Sequence, residues 1–216
     1  MNKKQNIRIK NQILKSTFNH INQNGWSKNS LYLGCSEIGV SLDQLKQIFP
    51  RGINDLIDYY FLNNEQSLIR KLNKINLNNM RVRDKISLGI KIRLENNNKY
   101  KDPLKRLYAV GILKPKKLLP KIWNTSDLVW KIAGDNSTDY NYYTKRLLLS
   151  WVYLNTLTFW LEESDNSLVD AFIERRINEV LSAGKKINKL ANCLKTSSLP
   201  IHKLLEILGK KLYGAH

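Results

Sequence analysis

Apolar residues recur at i, i+3 and i+4 along nearly the whole chain, while alternating Val/Ile/Thr runs bounded by Asn-Gly or Asp-Gly turns are missing. That spacing restricts the fold to an all-α protein. The first helix is expected over about Ile7 to Asn22, with Ile7, Ile13, Leu14, Phe18 and Ile21 apolar and Gly25 following its end. A short helical piece at Ser30 to Leu33 and the stretch "SEIGVSLDQLKQIF" come next. There Gly39 separates two helical patterns and Ser41 is placed to cap the second, which is helix-turn-helix grammar. Pro50 ends that helix and "INDLIDYYF" opens another. "NNEQ", residues 63–66, has the polarity of a linker.

From Leu68 the pattern predicts one long helical segment, broken by the run Asn96, Asn97 and Asn98. Asp102 and Pro103 then begin a helix, as cap and first helical residue. "LKPKKLLP" marks a connection, and Ile122, Trp123, Leu128, Val129, Trp130 and Ile132 form a helix ending at Gly134. A helix from Leu147 to Leu161 is uncharged, but shorter than the roughly 20 residues of a membrane span. It reads as a buried helix, followed by a turn and a last helix of the body with Val169, Phe172, Ile173, Ile177, Val180 and Leu181.

The 216 residues carry 36 Lys+Arg against 18 Asp+Glu, a net charge of +18 that raises nucleic acid or an anionic membrane as partners. The 26 Lys and 25 Asn also fit a genome rich in A/T codons, so the charge alone does not decide between those readings. Cys35 and Cys193 match no zinc or redox spacing and are expected as buried thiols in a reducing compartment. The start lacks the apolar core of a secretory signal. His20, His202 and His216 are scattered and expected at the surface, so neither a metal nor another cofactor is expected. With no phosphate loop or Ser/His/Asp arrangement either, the reading is not an enzyme.

The densest chemistry lies at "AGDNSTDYNYYTKR", residues 133–146. Gly134 ends one helix, and Ser137, Thr138 or Asp139 is placed to cap the next. One cap does not use six polar residues, so the others serve a surface or a hydrogen-bond network. Tyr142, Tyr143 and Arg146 are of the types enriched at interface hot spots. Tyr143 has a second reading, as core on a stripe with Tyr140, Leu147, Trp151, Leu154 and Leu161.

Together with "VYLNTLTFWL" and "FIERRINEVLSAGK", this stretch resembles the ubiquinone (coenzyme Q) biosynthesis accessory family called Coq-nine, over residues 127–185 and more weakly from residue 7. Tyr142 stands where the family usually has Trp. The resemblance implies a TetR-like helical bundle with a degenerate helix-turn-helix over residues 1–62, a lipid-binding body over 63–195 and an amphipathic membrane helix over 197–213. It implies partners as well: an isoprenoid quinone intermediate and phospholipid, the demethoxyubiquinone hydroxylase and a membrane surface. A homodimer, cytoplasmic and peripheral to the inner membrane, completes that expectation.

Carried over by motif, the hydroxylase contact falls on Asp139, Tyr142, Tyr143 and Arg146. Trp130, Leu147, Trp151 and Trp160 are the candidate lipid-lining residues, with plain core as their other reading. Near the end of the chain Ile201, Leu204, Leu205, Leu208 and Leu212 form an apolar stripe flanked by Lys203, Lys210 and Lys211. Such a helix lies in a membrane interface or packs on protein.

The rival is a TetR-type DNA-binding regulator with a hydrophobic ligand. Such regulators follow the turn with Leu-Tyr-x-x-Phe-x-x-Lys, and here the register gives Leu45, Lys46, Phe49 and Gly52, with Asp43 adding a negative charge. Specific DNA recognition is not expected, and the motif reads as retained scaffold.

Overall fold

The computed structural model describes residues 3–113, 115–138 and 140–196. Among them the regular structure is entirely helical, with no strand. The helices are α1 (Lys3–Asn24), α2 (Lys28–Glu37), α3 (Leu42–Ile48), α4 (Ile53–Leu72), α5 (Val82–Glu95), α6 (Lys101–Leu113), α7 (Pro115–Ile132), α8 (Tyr140–Glu162) and α9 (Asn166–Thr196), with a short 3-10 turn at Asn98–Tyr100. The chain forms two compact units, Met1–Glu174 and Arg175–His216. The second contains the remainder of α9 from Arg175, where Arg176 pairs with Glu179 one turn on at 2.7 Å. The stripe from Ile201 to Leu212 and Cys193's side chain lie outside the described residues.

In the first unit α1 packs chiefly on α2, and α7 on α8. Ile13, Ile21, Leu31, Leu56 and Leu68 are almost fully buried, each contributing about 1.5–3 kcal/mol of transfer free energy. An aromatic string links α1, α4, the 3-10 turn and α6. Phe18 stacks on Tyr100 with centroids 4.2 Å apart and meets Tyr60 edge-on at 5.8 Å, and Phe61 lies 6.5 Å from Tyr108.

The helix-turn-helix forms as the spacing predicts. Gly39 adopts φ +68°, a conformation without penalty only for glycine, and lets α2 turn into α3. Ser41 Oγ accepts the Gln44 N–H at 3.2 Å while Gln44 Oε1 accepts the Ser41 N–H at 3.0 Å, a reciprocal capping box. Leu45, Ile48 and Phe49 are buried.

Two expectations are corrected. "NNEQ" is no linker, because α4 continues through it to Leu72. Asn64 is buried and donates to Asn97 Oδ1 at 2.8 Å, so its polarity is satisfied inside. The segment from Leu68 is not one helix either. It stops at Leu72, and α5 begins at Val82 after an Asn-rich stretch whose side chains compete for backbone hydrogen bonds, as Asn76 Oδ1 does by accepting the Asn78 N–H. The connection at "LKPKKLLP" is confined to the α6–α7 junction, with Pro120 inside α7.

Candidate functional site

The corner between α7 and α8 is built around one guanidinium. Gly134, at φ +93°, ends α7 and turns the chain so that Asp135 comes back towards α8. Arg146 is 1% exposed. Its Nε donates to Asp127 Oδ1 at 2.8 Å and its Nη1 to Asp135 Oδ2 at 2.6 Å, joining two carboxylates from different segments. The guanidinium also lies 3.7 Å from the centre of the Tyr142 ring, whose hydroxyl donates to Asp127 Oδ1 at 3.2 Å.

Two lysines bring further cations to the same carboxylates. Lys131 reaches Asp127 at 2.6 Å, and Lys145 reaches Asp135 at 2.5 Å while donating to Ser137 Oγ at 2.7 Å. Ser137 in turn donates to Asp135 at 2.8 Å. Burial opposes ionisation of Asp135, but the donors from Lys145, Arg146 and Ser137 outweigh it and hold the carboxyl well below the usual range. Asp127 is lowered in the same way, burial being outweighed by Lys131, Arg146 and Tyr142. Asp135 and Ser137 of the crowded polar run thus belong to a hydrogen-bond network.

That network changes the part played by Arg146. The family resemblance puts it at a docking surface, whereas the structure buries it as the tie between α7, the turn and α8. Tyr142 is half-buried beneath it, and Asp139 lies outside the described residues. Tyr143, by contrast, is 62% exposed and is not core. Leu147, one turn on, is 64% exposed, and Trp151, another turn on, is 46% exposed. The opposite side of α8, with Leu149, Val152, Tyr153, Leu157 and Trp160, is the buried one. Tyr143, Leu147 and Trp151 of the stripe expected as core therefore face outward while Leu154 and Leu161 are half-buried, a difference that periodicity cannot detect because both faces of α8 are apolar.

The same geometry divides the four candidate lipid-lining residues. Trp151 and Trp160 are nine residues apart, half a turn round the helix, so Leu147 and Trp151 face out while Trp160 is 1% exposed and donates to Asn98 at 3.0 Å. Trp130 is half-buried, its indole N–H donating to the Lys145 carbonyl at 2.9 Å. None of the four lines the open hollow of about 600 Å³ beside α4, α6 and α7, whose apolar wall includes Ile57, Phe61, Leu107, Val110 and Leu118. Lys116, Lys117, Lys121 and Arg51 stand around it. Its signal in the sequence is the apolar spacing of "INDLIDYYF" together with the Pro-Lys-Lys run, which by itself reads as a connection.

In the helix-turn-helix, Arg51 is held by Asp55 at 2.6 Å and Asp58 at 3.0 Å, and Lys46 lies 3.5 Å from Asp43, so these cations already have acidic neighbours. Cys35 is buried, and burial pushes its thiol up to about 11. His20, expected as a surface residue, is instead largely buried with its Nε2 2.7 Å from Glu37. Among the described residues no three His, Cys, Asp or Glu side chains are grouped to hold a metal ion. No helix among them is long and apolar enough to cross a membrane.

Residues 116–184, which contain the whole Arg146 corner, match the COQ9 family. The COQ9 resemblance extends further in curated relatives. The fission-yeast (Schizosaccharomyces pombe) "Ubiquinone biosynthesis protein coq9, mitochondrial" is 28% identical over 207 residues, covering 92% of this chain and 79% of its own. A Dictyostelium discoideum "Probable ubiquinone biosynthesis protein coq9, mitochondrial" is 23% identical over 193 residues, and the rat COQ9 protein 24% over 188. This chain spans 62% and 60% of the length of those two relatives and is itself covered to 84% and 82%. Among solved structures, a TetR transcriptional regulator from Nitrosomonas europaea superposes with a TM-score of 0.65 at 18% identity, covering 81% of this chain and 98% of the regulator. The fold is therefore TetR-like, as the COQ9 resemblance implies.

Proposed function

We propose that this chain is a non-catalytic, lipid-binding accessory protein of ubiquinone biosynthesis, which takes up a polyprenyl quinone intermediate and presents it to the membrane-bound demethoxyubiquinone hydroxylase. The observation that carries this reading is the outward row Tyr143, Leu147 and Trp151, standing in the segment that matches COQ9. Three large apolar side chains exposed on successive turns favour a partner that covers them. The network behind them, from Asp127 to Arg146, fixes the backbone that carries the row and so lowers the cost of ordering on binding.

The hollow beside α4 supports lipid uptake, since its wall is apolar and its lysines suit a polar or anionic head at the mouth. In this reading the hollow, rather than the four α7 and α8 residues, seats the isoprenoid tail or a phospholipid chain. The stripe from Ile201 to Leu212 serves as the membrane contact, keeping a homodimeric protein peripheral to the inner membrane.

The test is lipid extraction of purified protein followed by mass spectrometry, with hydroxylase capture in parallel. The expected result is isoprenoid or phospholipid in the extract and a capture that fails for Tyr143→Ala/Trp151→Ala. Lipid-free protein that neither binds added quinone nor captures the hydroxylase would sink the proposal. A second reading, a DNA-binding regulator, is favoured by the fully capped α2–turn–α3 unit. It requires a shift of one specific promoter fragment that survives competition by bulk DNA.

A further inference from the structure

A second recess, of about 390 Å³, lies between α1, α4 and the end of α5. α4 borders both spaces, the hollow with Ile57, Asp58 and Phe61 and this pocket with Tyr60, Asn63, Asn64 and Ser67. Its lining is of another kind. Lys15 and Arg70 line it, both exposed, and among the described residues neither has a carboxylate within ion-pair distance and no Asp or Glu lines the pocket. Asn96, which also lines it, has a buried Nδ2 with no hydrogen-bond partner. Nearly all buried amide donors are paired, so this one is an unused donor on a residue of the lining.

Three of the lining residues form a hydrogen-bonded chain that ends on the backbone of Arg93, which does not itself line the pocket. Tyr60 and Asn64 both donate to Asn97 Oδ1, at 2.9 and 2.8 Å, and Asn97 Nδ2 donates to the Arg93 carbonyl at 2.7 Å. Arg93 is 1% exposed, sits among Tyr60, Tyr108 and Tyr153, and leaves its Nη1 without a partner. No carboxylate among the described residues neutralises it. The stacked pair Phe18 and Tyr100 gives the pocket an aromatic wall, and the volume exceeds what a bare inorganic ion fills.

We propose that this pocket binds a small planar organic anion, a ring bearing a carboxylate or phosphate, with the charged group on Lys15 and Arg70, a ring substituent on Asn96 Nδ2 and the ring against the Phe18–Tyr100 wall. It is a site separate from the lipid hollow.

The probes are benzoate and phenyl phosphate, which separate the two anion sources, with inorganic phosphate as the ring-free comparison. Each is titrated into the full chain by NMR, following the Asn side-chain amides, and by calorimetry. Saturable shifts at Asn96 with benzoate or phenyl phosphate are expected, weakened about tenfold by Lys15→Gln/Arg70→Gln, as losing a charge-assisted bond requires. Both side chains are exposed, so these variants fold; Arg106→Gln, outside the pocket, should leave binding unchanged. Asn96→Leu should weaken binding without altering the two cations. No saturable shift with either ring, or binding of inorganic phosphate as tight as phenyl phosphate, would overturn the proposal. So would affinity unaffected by the double substitution.

Discussion

Arg146 donates to the Asp135 carboxylate at 2.6 Å with side chains 1% and 5% exposed, so an ion pair from two sides of a turn is sealed inside the COQ9-matching segment. Its removal tests the structural part of the site. Arg146→Ala leaves Asp127 and Asp135 facing a void, and breaking a buried pair costs about 3–5 kcal/mol. The low end is expected, because Lys131 and Lys145 still reach the two carboxylates. Arg146→Lys should recover only part, since a single ammonium cannot serve both acids as the planar fork does. Urea unfolding reads both values, and an unchanged midpoint for Arg146→Ala would show that the tie bears no stability.

Acid should loosen the same corner in a defined window. The folded Asp135 carboxyl lies below its ordinary value of 3.8, so the unfolded chain binds that proton more readily than the folded one. The stability it gives is complete above that ordinary value and declines as the pH falls below it towards the folded value. Asp135→Asn lacks the effect. The stability gap between wild type and this variant should therefore be constant near neutrality and shrink below about pH 4. A gap that widened on acidification would mean that the folded protein binds the Asp135 proton more readily than the unfolded chain, the opposite of what the Lys145 and Arg146 contacts require.

Much of this architecture is legible in the residues, and the misreadings have physical causes. The helix-turn-helix could be read because Gly39 and Ser41 each impose a local geometry that needs no tertiary help. The α7–α8 corner could be located for the same reason, at Gly134. Which face of α8 is buried could not, since Tyr143, Leu147 and Trp151 are as apolar as Leu149, Tyr153 and Trp160 and the periodicity fits either stripe. Asn64, in the stretch expected as a linker, misled in the opposite sense. Its polarity signals solvent, yet it pairs with Asn97 inside the protein, across 33 residues that no local pattern carries.

Tyr143 and Leu147 are exposed enough to be removed without harm to the fold. Tyr143→Ala/Leu147→Ser should shift unfolding stability by no more than about 0.5 kcal/mol per site, the range for surface changes. Hydroxylase association should nevertheless fall by about tenfold or more, as loss of an aromatic anchor does at an interface centre. Paired unfolding and surface-binding measurements separate the two effects. Full association by a folded double variant would remove this row from the interface.

Filling the hollow tests whether lipid sits there. Ile57 is half-buried on its wall, where α4 faces Leu107 and Leu118, and Lys117 donates to Asn54 Oδ1 at 3.3 Å at the same end of the helix. Ile57→Trp adds bulk to a space open enough to take it, so the cost in stability should stay within about 1–3 kcal/mol. Lipid recovered per mole of protein should drop several-fold, since the added ring occupies volume that an acyl or isoprenoid chain would use. Because Ile57 is far in sequence from the α8 row and shares no contact with Arg146, hydroxylase capture by lipid-free protein should be unaffected. Undiminished lipid in a folded Ile57→Trp protein would move the lipid site away from α4.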